Sequence, residues 1–321
     1  MSNRSIVING DLGSGKSTIA RLIAERTGLP FVSIGDLYRQ IAESRGMSAL
    51  ELNLHAERDE EIDRYVDELQ RKMADSAEQM VVDSRLAWVF FREAFKVHLI
   101  TEPAVAAARV LSRPADKVES YASLAEATSS LQVRSESERQ RFIRTYGVDK
   151  SRLRNYDMIC DTTRATAATA ADCIIGGYTA PPASPPHAAP ALLFIDPARI
   201  YPTEPIATVM KSEPNERDFV AEVRRRGFRT LEPITLGFTG SCFFALDGHQ
   251  RLSAALKNGY ELVAAALAAE RNEPVSDGMP AWDFFESTVT PAILNGWNEA
   301  HGLHLSLPTR DSPVPDSADR D

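Results

Sequence analysis

The chain has 321 residues, 43% of them hydrophobic, which is enough to bury substantial cores and favours two domains over one. Its 45 acidic and 36 basic residues give a net charge of −9, which disfavours a broad electrostatic surface for nucleic acid or an anionic membrane. Three cysteines without a C-x-x-C pair indicate neither a disulfide framework nor a zinc site, and no stretch resembles a signal region or a membrane span. We therefore expect a cytoplasmic protein without a membrane partner, for which nucleic acid is disfavoured and the oligomeric state is open.

The first predicted elements are a short apolar strand, Ser5 to Ile8, and a helix with apolar positions from Ile19 to Ile23. Between them lies the pattern G-x-x-x-x-G-K-[ST], a phosphate-binding loop; the competing interpretation is an ordinary glycine-rich turn. Glycines let successive backbone N–H groups face phosphates, and a helix N-terminus favours anions at the same point. Lys16 would neutralise the terminal phosphates and Ser17 would ligate Mg²⁺. The predicted nucleotide-contacting residues are Gly10, Gly13, Ser14, Gly15, Lys16, Ser17 and Thr18.

A second strand and a flap are predicted next. Leu29 to Ile34 has the pattern of a short strand, and Asp36 is suited to cap the helix that follows it. Ser48 and Glu51 then match a capping box that opens a long, heavily charged helix ending near Ala74. Such a polar helix predicts a flap that faces solvent.

Further strands alternate with helices. Apolar runs at Met80 to Asp83, Phe95 to Ile100 and Met158 to Asp161 have the composition of buried strands. Helical patterns lie near Val105 to Leu111 and Ala165 to Ile175. Because strands that alternate with helices pair in parallel, the N-terminal part is predicted to be an α/β fold with a parallel sheet between layers of helices.

The segment from Ser112 to Tyr146 is polar and rich in charges of both signs. Its arginines are crowded at Arg134 to Arg141. A charge run of this kind is usually a solvated helix face. The alternative is a mobile helical lid whose arginines, Arg134 and Arg139, move over the γ-phosphate when the lid closes.

Charged side chains also follow the predicted strands, at the edge of the sheet where open α/β folds bind ligands. Asp83 is suited to orient Mg²⁺ through water or to bind an acceptor, with a structural carboxylate as the alternative. A guanidinium group suits an acceptor phosphate, so Arg39 and Arg85 are candidates for one, against a solvated surface role. The substrate-binding candidates of this part are Asp36, Arg39, Asp83 and Arg85, and the metal-binding candidates are Ser17 and Asp83.

These motifs carry a family resemblance. They are the phosphate loop, Phe31 to Arg39, Val82 to Ala87, Phe95 to Val97, Arg134 to Arg141 and Tyr146 to Asp149. Over about the first 177 residues, the chain resembles the cytidylate kinase-like family in its short archaeal-type form. The resemblance implies that ATP with Mg²⁺ is the phosphoryl donor and a nucleoside monophosphate the acceptor. It further implies that Arg39 and Arg85 bind the acceptor phosphate and that the lid arginines contact the transferred group.

The composition changes after this part. Residues 178–191 are rich in proline and alanine and are predicted to be a linker, because proline fixes φ and offers no amide donor. A second patterned region occupies residues 192–307. Residues 308–321 have the polarity, proline content and acidity of a disordered tail. The predicted domains are therefore 1–177 and 192–307, the second ending in a helical extension.

In the second region, a predicted strand leads into the sequence Asp247-Gly248-His249-Gln250-Arg251, which opens an apolar-periodic helix. Gly248 permits close backbone approach, the helix N-terminus is positive, and His249 and Arg251 offer donors, so a small anion is predicted to bind here. A capped turn without a ligand is the alternative. Further on, the segment from Trp282 to Trp297 is predicted to be a packing helix rather than an aromatic ligand cage.

This second region resembles the ParB/sulfiredoxin-like superfamily. The resemblance rests on Tyr201 to Ile206, Phe219 to Arg226, Pro233-Ile234 and Asp247 to Arg251. The pattern is most similar to members that phosphorylate free serine with a nucleotide diphosphate. It implies that Glu204 acts as general base, that His249 and Arg251 bind phosphate, and that the fold is a small mixed α/β domain.

Three functions follow as hypotheses. The leading one is ATP- and Mg²⁺-dependent phosphorylation of a nucleoside monophosphate, with a CMP-like acceptor, by a phosphate-loop kinase domain with an arginine lid. The second places a kinase for a serine-like hydroxyl in the ParB-like domain, with Glu204 as base. The third is a nucleotide- or DNA-binding sensor coupled to a phosphate-loop ATPase, for which Arg224 to Arg226 form a local basic face.

Overall fold

The computed structural model describes residues 4–47, 60–112, 121–180, 192–211, 232–275 and 278–308. Its N-terminal part is built on parallel strands, namely β1 (Ile6–Gly10), β2 (Phe31–Ser33), β3 (Val81–Asp83), β4 (Phe95–Ile100) and β5 (Met158–Asp161). The helices of this part are α1 (Lys16–Thr27), α2 (Ile34–Ser44), α3 (Glu60–Ala74), α4 (Ala87–Phe90), α5 (Pro103–Leu111), α6 (Leu124–Tyr146) and α7 (Ala167–Thr179). In the order β2-β3-β1-β4-β5, the loop between β1 and α1 lies at the carboxyl edge, between the ends of β3 and β4.

The central strands are buried on both faces of the sheet. On one face, Ile8 packs in a cluster with Ile23 of α1 and Ile174 of α7. On the other face, Val7 packs in a cluster with Trp88 of α4. Strands covered on both faces need apolar side chains at successive positions, which explains their continuous apolar runs.

Most predicted elements of this part are confirmed, with two differences at helix ends. β4 and β5 have the predicted bounds. The helix after β2 begins at Ile34, so Asp36 lies in its first turn. Ser33 Oγ accepts a hydrogen bond from the Asp36 amide at 3.2 Å, so the prediction that Asp36 caps this helix is wrong and Ser33 supplies the cap. α7 continues past its predicted end at Ile175.

The C-terminal part continues the same sheet. Its strands are β6 (Leu192–Ile195), β7 (Ile200–Tyr201), β8 (Ile234–Phe238), β9 (Phe243–Asp247) and β10 (Val263–Glu270). Its helices are α8 (Ile206–Lys211), α9 (His249–Lys257), α10 (Ala281–Thr288) and α11 (Pro291–His301). β6 pairs in parallel with β5 and antiparallel with β10, which gives the strand order β2-β3-β1-β4-β5-β6-β10-β8-β9-β7. The parts predicted as domains 1–177 and 192–307 thus share backbone hydrogen bonds, while the boundaries themselves stay a prediction.

The C-terminal part of the sheet is curled. β10, β8 and β9 lie between β6 and β7, a separation of about 19 Å across a flat sheet at about 4.8 Å per strand. Only Asp196 to Arg199 connect the two strands, and Pro197–Arg199 form a 3₁₀ turn, which rises about 2 Å per residue. A connection this short requires β7 to bend back toward β6. Arg199 is therefore held near the carboxyl end of β5.

The predicted helix from Trp282 to Trp297 is two helices. Thr290 Oγ1 accepts a hydrogen bond from the Ile293 amide at 3.3 Å and Pro291 begins α11, which are both helix-start signals. Trp297 has no exposed surface, and its Nε1 donates to the Glu204 carbonyl at 2.8 Å. The packing role predicted for this segment agrees with that burial, although its continuity was predicted wrongly.

Some sequence predictions lie outside the described residues. These are the capping box at Ser48 and Glu51, most of the linker, the segment Phe219 to Arg226 with its basic face at Arg224 to Arg226, and the tail from residue 309. Among the described helices, none is both long and apolar enough to cross a membrane.

The end of β10 joins the segment that precedes β5. Arg154 forms a bidentate ion pair with Glu273, with N–O distances of 2.5 to 2.9 Å. Glu270, which is 2% exposed, accepts a hydrogen bond from the Leu153 amide at 2.9 Å through one carboxyl oxygen. Its other oxygen is buried without a hydrogen-bond partner in the described part of the chain. Burial, together with the charge of Glu273, raises the pKa of Glu270 above its ordinary value.

We expect Glu270→Gln to stabilise the protein at pH 8 by about 1 kcal/mol, because glutamine keeps the shape of the side chain and can accept from the Leu153 amide without a charge that burial disfavours. Because the pKa of Glu270 is higher in the folded state, the folded state binds more protons between the two pKa values, so stability falls as the pH rises through that window. Urea unfolding should therefore show a stabilised variant at pH 8 and little difference at pH 4. The control is Glu273→Gln: although burial opposes ionisation, Arg154 lowers the pKa of Glu273, and its loss should stabilise at neither pH. Equal gains from both variants would contradict the assignment.

Candidate active site

The phosphate loop has the conformation that its glycines allow. Gly13 and Gly15 both have φ of +79°, in the left-handed region that favours glycine. A side chain at Gly13 would also come within 2.8 Å of the Ala106 backbone. The Ser14 amide and hydroxyl both donate to the Asp11 carbonyl, at 3.2 and 2.8 Å. The chain therefore turns tightly before α1 begins at Lys16, which leaves the first amides of that helix facing the loop.

Three predicted site residues meet at the mouth of this loop. Lys16 Nζ forms a hydrogen-bonded ion pair with Asp83 Oδ1, and Ser17 Oγ donates to Asp83 Oδ2 at 2.5 Å. Asp83 is 2% exposed and Lys16 is 19% exposed. The carboxylate thus holds both side chains of the G-K-S motif on the side that faces β3. The structure therefore brings these three predicted site residues together, while their roles toward a nucleotide and a metal ion stay predictions.

This group of donors fits a magnesium ion. The Ser17 hydroxyl and the Asp83 carboxylate are oxygen donors, the kind that Mg²⁺ prefers. Mg²⁺ is typically bound by one or two carboxylates together with substrate phosphates and water. Among the residues that the structure describes, no group of three or more His, Cys, Asp or Glu side chains could hold a metal ion by itself.

Arg109 and Thr162 support the loop from behind, and sequence reasoning missed both. Thr162 Oγ1 donates to the Ser14 carbonyl at 2.9 Å. Arg109 donates to the Thr162 carbonyl at 2.5 Å and to the Gly13 carbonyl at 3.4 Å. These contacts bind the Gly13 and Ser14 carbonyl groups of the loop to Arg109 and Thr162, so the backbone amides of the loop remain available to phosphates. A basic residue on the helix after β4 was the only sequence signal for Arg109.

A second network extends beneath the loop from Asp11. The Asn9 side-chain amide donates to His98 Nδ1 at 3.0 Å and to Tyr156 Oη at 2.6 Å. Because Nδ1 accepts, the ring proton of His98 is on Nε2, which lies 3.5 Å from Asp11 Oδ1. Burial opposes ionisation of Asp11, but the hydrogen bond from His98 and the charge of Lys150 leave its pKa lowered. Asp11, the first variable residue of the loop motif, is therefore a carboxylate that His98 holds in place.

The predicted acceptor residues of α2 form an exposed cluster. Arg39 makes a hydrogen-bonded ion pair with Asp36 Oδ1, and Arg21 donates to Asp36 Oδ2 at 3.1 Å. Despite some desolvation, the bonds from Arg39 and Ser33 and the charge of Arg21 lower the pKa of Asp36. Arg39 is 61% exposed, and an exposed ion pair of this kind adds little stability. It is therefore available to a ligand at small cost.

Arg85 links the end of β3 to α6. It donates to Glu138 Oε2 at 2.7 Å, while Lys150 donates to Glu138 Oε1 at 2.8 Å. Burial opposes ionisation of Glu138, but the charges of Arg85, Lys150 and Arg134 leave its pKa lowered. The predicted lid residue Arg134 thus lies within electrostatic reach of the Glu138 carboxylate.

Arg139, the other predicted lid arginine, is docked rather than exposed. It forms a bidentate ion pair with Asp149, at 2.9 and 2.8 Å, and a further bond to Glu136 at 3.1 Å. Arg271, from the C-terminal part, also donates to Asp149 at 3.1 Å. Burial opposes ionisation of Asp149, yet these bonds and that of Ser151 hold its pKa far below the ordinary range. Within this arrangement Arg139 does not contact the loop residues around Lys16.

The predicted residues of the C-terminal part also meet. His249 is 4% exposed, and its Nε2 accepts a hydrogen bond from the Thr203 amide at 3.1 Å, while the Thr203 hydroxyl donates to the Ala245 carbonyl at 2.7 Å. Its Nδ1 lies 3.5 Å from Glu204 Oε1. Burial lowers the pKa of His249, although Glu204 and Asp247 oppose that shift, so the ring is neutral with its proton facing Glu204. His249 therefore lies beside Glu204, and the phosphate-binding role that the resemblance implies for it stays a prediction.

Arg251, the other implied phosphate ligand, is engaged by the protein. It donates to the Glu232 carbonyl at 2.6 Å and to Asp247 Oδ2 at 2.8 Å. Gly248, with φ of +91°, forms the N-cap of α9 and has no side chain to satisfy the first amides of that helix. The amides at the start of α9 therefore lack a side-chain cap, and the Glu204 carboxylate beside them is 51% exposed.

A family model described as an AAA domain matches residues 6–138. The matched range contains the phosphate loop, Asp83, Arg85 and Arg134. It ends before Arg139 and before the whole C-terminal part.

Curated relatives match over a similar region. A cytidylate kinase of Methanothermobacter thermautotrophicus is 36% identical over 162 residues, which are 50% of this chain and 97% of that protein. A cytidylate kinase of Archaeoglobus fulgidus is 34% identical over 158 residues, 49% of this chain and 84% of that protein. An S-adenosylmethionine-dependent nucleotide dehydratase of Lacinutrix mariniflava is 36% identical over 175 residues, 54% of this chain but 35% of that protein.

The three alignments support the first resemblance and not the second. Each covers about half of this chain, so the ParB-like interpretation of residues 192–307 stays a prediction. The two cytidylate kinases, by contrast, are matched over more than four-fifths of their own length. Through its N-terminal half, the chain belongs to the cytidylate kinase family.

Proposed function

We propose that the N-terminal half transfers the γ-phosphoryl group of ATP to a nucleoside monophosphate, with a CMP-like acceptor favoured. The observation that carries this proposal is the contact of Lys16 and Ser17 with Asp83 at the mouth of a correctly formed phosphate loop. Two relatives are named cytidylate kinases, and a third is named for a reaction on a nucleotide. A nucleotide acceptor agrees with all three names.

The reaction needs positioning more than covalent participation by the protein. A phosphate oxygen of the acceptor attacks the γ-phosphorus, the bond from that phosphorus to the β–γ bridging oxygen breaks, and ADP leaves. A phosphate oxygen at neutral pH is already a nucleophile, so no side chain has to remove a proton. Loop amides and Lys16 would hold the donor in line, and they would stabilise charge on the leaving oxygen.

Ser17 and Asp83 would hold Mg²⁺ in this site. When bound, the ion would neutralise charge on the phosphates. ATP brings negative charge to Lys16, which now pairs with Asp83, so the lysine can exchange one anionic partner for another without becoming unpaired. The existing contact would thus keep Lys16 oriented toward the phosphate position before nucleotide binds.

Arg39 and Arg85, with Asp36 orienting the first, would bind the acceptor phosphate. Arg85 can leave Glu138 at small cost, because Lys150 continues to neutralise that carboxylate. Arg139 has a comparable arrangement, since Arg271 stays on Asp149 when Arg139 moves. Both arginines would therefore be released toward substrate without leaving a buried carboxylate uncompensated.

A coupled assay of ATP consumption over the nucleoside monophosphates, free serine, free threonine and other small alcohols tests the proposal. We expect turnover with CMP or a related pyrimidine monophosphate and formation of the corresponding diphosphate. Turnover of hydroxy amino acids alone, at a rate that Lys16→Ala leaves intact, would overturn it.

A second candidate is a kinase for a serine-like hydroxyl in the C-terminal part. It is favoured by the pair in which neutral His249 directs Nδ1 at the half-exposed Glu204 carboxylate, beside the N-terminus of α9. An alcohol acceptor does need a base, and Glu204 would take the hydroxyl proton as the oxygen attacks the terminal phosphorus of a nucleotide held near α9. The bond from that phosphorus to its bridging oxygen would break, and the nucleotide would leave with one phosphate fewer.

If this second activity exists, Glu204→Gln should lower it by about 10²-fold or more, the usual contribution of a general base, and leave nucleoside monophosphate turnover unchanged. Lys16→Ala should abolish nucleoside monophosphate turnover and leave serine phosphorylation unchanged. Serine phosphorylation would be measured by phosphoserine formation with ADP and with ATP as donors. Glu261→Gln, at another exposed carboxylate of this part, serves as the control. Equal loss in both glutamine variants would remove the assignment to Glu204.

A further inference from the structure

An ion pair joins the C-terminal part to the edge of the sheet that carries the phosphate loop. Arg199 donates to Asp161 Oδ2 at 2.7 Å and to Thr163 Oγ1 at 3.2 Å. Asp161 ends β5 and has no exposed surface, and Arg199 is 21% exposed. Arg199 belongs to the short connection between β6 and β7, in the half of the chain that the cytidylate kinase relatives do not match.

Asp161 organises the residues that follow it. Its Oδ1 accepts hydrogen bonds from the Thr163 amide at 2.9 Å and from the Thr163 hydroxyl at 2.6 Å. Thr163 Oγ1 in turn accepts from the Glu102 amide at 3.0 Å, at the start of α5. The carboxylate thus sets the path of the chain through Thr162.

That path leads directly to the phosphate loop. Thr162 Oγ1 donates to the Ser14 carbonyl at 2.9 Å, and the Thr162 carbonyl accepts from Arg109, which also donates to the Gly13 carbonyl. Only Asp161 and Thr163 stand between the Arg199 guanidinium and residues that touch the loop. A displacement of Asp161 would be transmitted to Ser14 through Thr162.

Arg199 is the guanidinium group hydrogen-bonded to Asp161, while Arg109 and Arg164 act on it through space. Removing one partner of a buried ion pair leaves a charge that must find other partners or admit water. Either response would disturb the hydrogen bonds of Asp161, whose Oδ1 accepts from Thr163 and whose Oδ2 also accepts from the Asp196 amide at 3.3 Å. A change at Arg199 would then reach the Ser14 carbonyl through Thr162.

We propose that Arg199 is a positioning residue for the phosphate loop, so that nucleotide binding by the kinase half requires the C-terminal part of the chain. The proposal rests on the proposed function for the identity of the donor, but not on the identity of the acceptor. The ion pair acts through Asp161 and the Thr162–Thr163 segment, and Arg199 itself does not contact the reacting atoms.

Binding of ADP with Mg²⁺ to the full chain, measured by calorimetry, tests the proposal whether or not an acceptor is known. Arg199→Met should weaken ADP binding by roughly ten- to a hundredfold, the range expected when a remote change displaces a site by a fraction of an ångström to about 1 Å. Arg199→Lys keeps the charge but loses the fork of donors, so it should have an intermediate affinity. The control, Arg154→Met, breaks the Arg154–Glu273 pair, which also joins the two halves but lies at the other end of β10. It should bind ADP like the parent chain.

Thermal unfolding of each variant separates positioning from stability. A loss of fold alone lowers the number of binding sites and kcat, whereas a displaced loop weakens affinity and raises the KM for ATP in molecules that are folded. Parent-like ADP affinity in folded Arg199→Met would overturn the proposal. If that variant does not fold, Arg199→Lys decides: weakened affinity supports the proposal and parent-like affinity overturns it. Equal weakening in Arg154→Met would also overturn it.

Discussion

Lys16→Met is expected to lower the kcat/KM of phosphoryl transfer by about 10³-fold or more, the range seen when a preorganised charge at a transferred phosphoryl group is removed. The lysine projects from the first turn of α1 and is held by Asp83 at the mouth of the loop. Methionine has a similar length and no charge, so the loop keeps its shape while the phosphates lose their ammonium partner. Initial rates with saturating CMP and varied ATP measure the effect.

The same substitution should also destabilise the fold, and this effect can be separated. Without Lys16, Asp83 is a carboxylate that is 2% exposed and bonded only to Ser17 among the contacts described for it. Breaking a buried pair on one side costs about 3 kcal/mol or more when both groups are well buried, and somewhat less here because Lys16 is partly exposed. Adding Asp83→Asn removes the unpaired charge. The double variant should regain most of the stability and none of the activity.

Lys72→Met is the matched control, because Lys72 is an exposed lysine on α3 that pairs only with its helix neighbour Glu68 in the contact described for it. Its activity and stability should stay near those of the parent chain. A double variant that recovers activity together with stability would contradict the assigned role, since it would mean that Lys16 acts through the fold alone.

Local signals were sufficient to predict the phosphate loop and the strands beside it. The loop depends on residues within nine positions of one another, and its conformation follows from glycines at the two left-handed positions. β4 and β5 are apolar runs bounded by polar residues, and burial on both faces requires that pattern. Even here, one cap was assigned to Asp36 when Ser33 supplies it, because both residues are good caps and only the chain path decides between them.

The continuity of the sheet could not be predicted in this way. The pairing of β6 with β5 joins residues on either side of a proline-rich segment whose composition favoured a boundary. Hydrogen bonds between strands depend on backbone groups that every residue has, so composition does not identify the partner of an edge strand. The Arg199–Asp161 pair depends on this unpredicted pairing, which explains why sequence reasoning missed it.

The contact partners of the charged site residues could also not be predicted from the sequence. Arg85, Arg139 and His249 were singled out as candidate substrate, lid and phosphate-binding residues, and their present partners are Glu138, Asp149 and Thr203. Each of these contacts joins different elements and is set by tertiary packing. The roles that the resemblances imply for these three residues therefore stay predictions, and the partners tell us what each residue must give up to perform them.

Arg85→Met is expected to lower kcat/KM for the acceptor by about a hundredfold, since a hydrogen bond to a charged group is worth about 1.5–3 kcal/mol and a guanidinium offers two to a phosphate. Arg85 lies two residues beyond Asp83, at the end of the strand next to the phosphate loop, and is 43% exposed. The KM for ATP should stay close to that of the parent chain, because Arg85 does not contact the loop residues around Lys16. Steady-state kinetics in which each substrate is varied in turn measure the effects on the acceptor and on ATP separately.

The arrangement of Glu138 makes this variant informative, because the fold should survive it. Lys150 continues to neutralise Glu138 at 2.8 Å after Arg85 is lost, so no buried carboxylate is left without a cation. Arg92→Met, at an exposed arginine in the turn after α4, is the control and should bind CMP like the parent chain in calorimetry. If the KM for ATP rises as much as the KM for the acceptor, the Arg85 guanidinium either contacts both substrates or stabilises the carboxyl edge of the sheet near β3. If neither changes, the acceptor phosphate is held elsewhere, and the exposed Arg39 on α2 becomes the residue to replace.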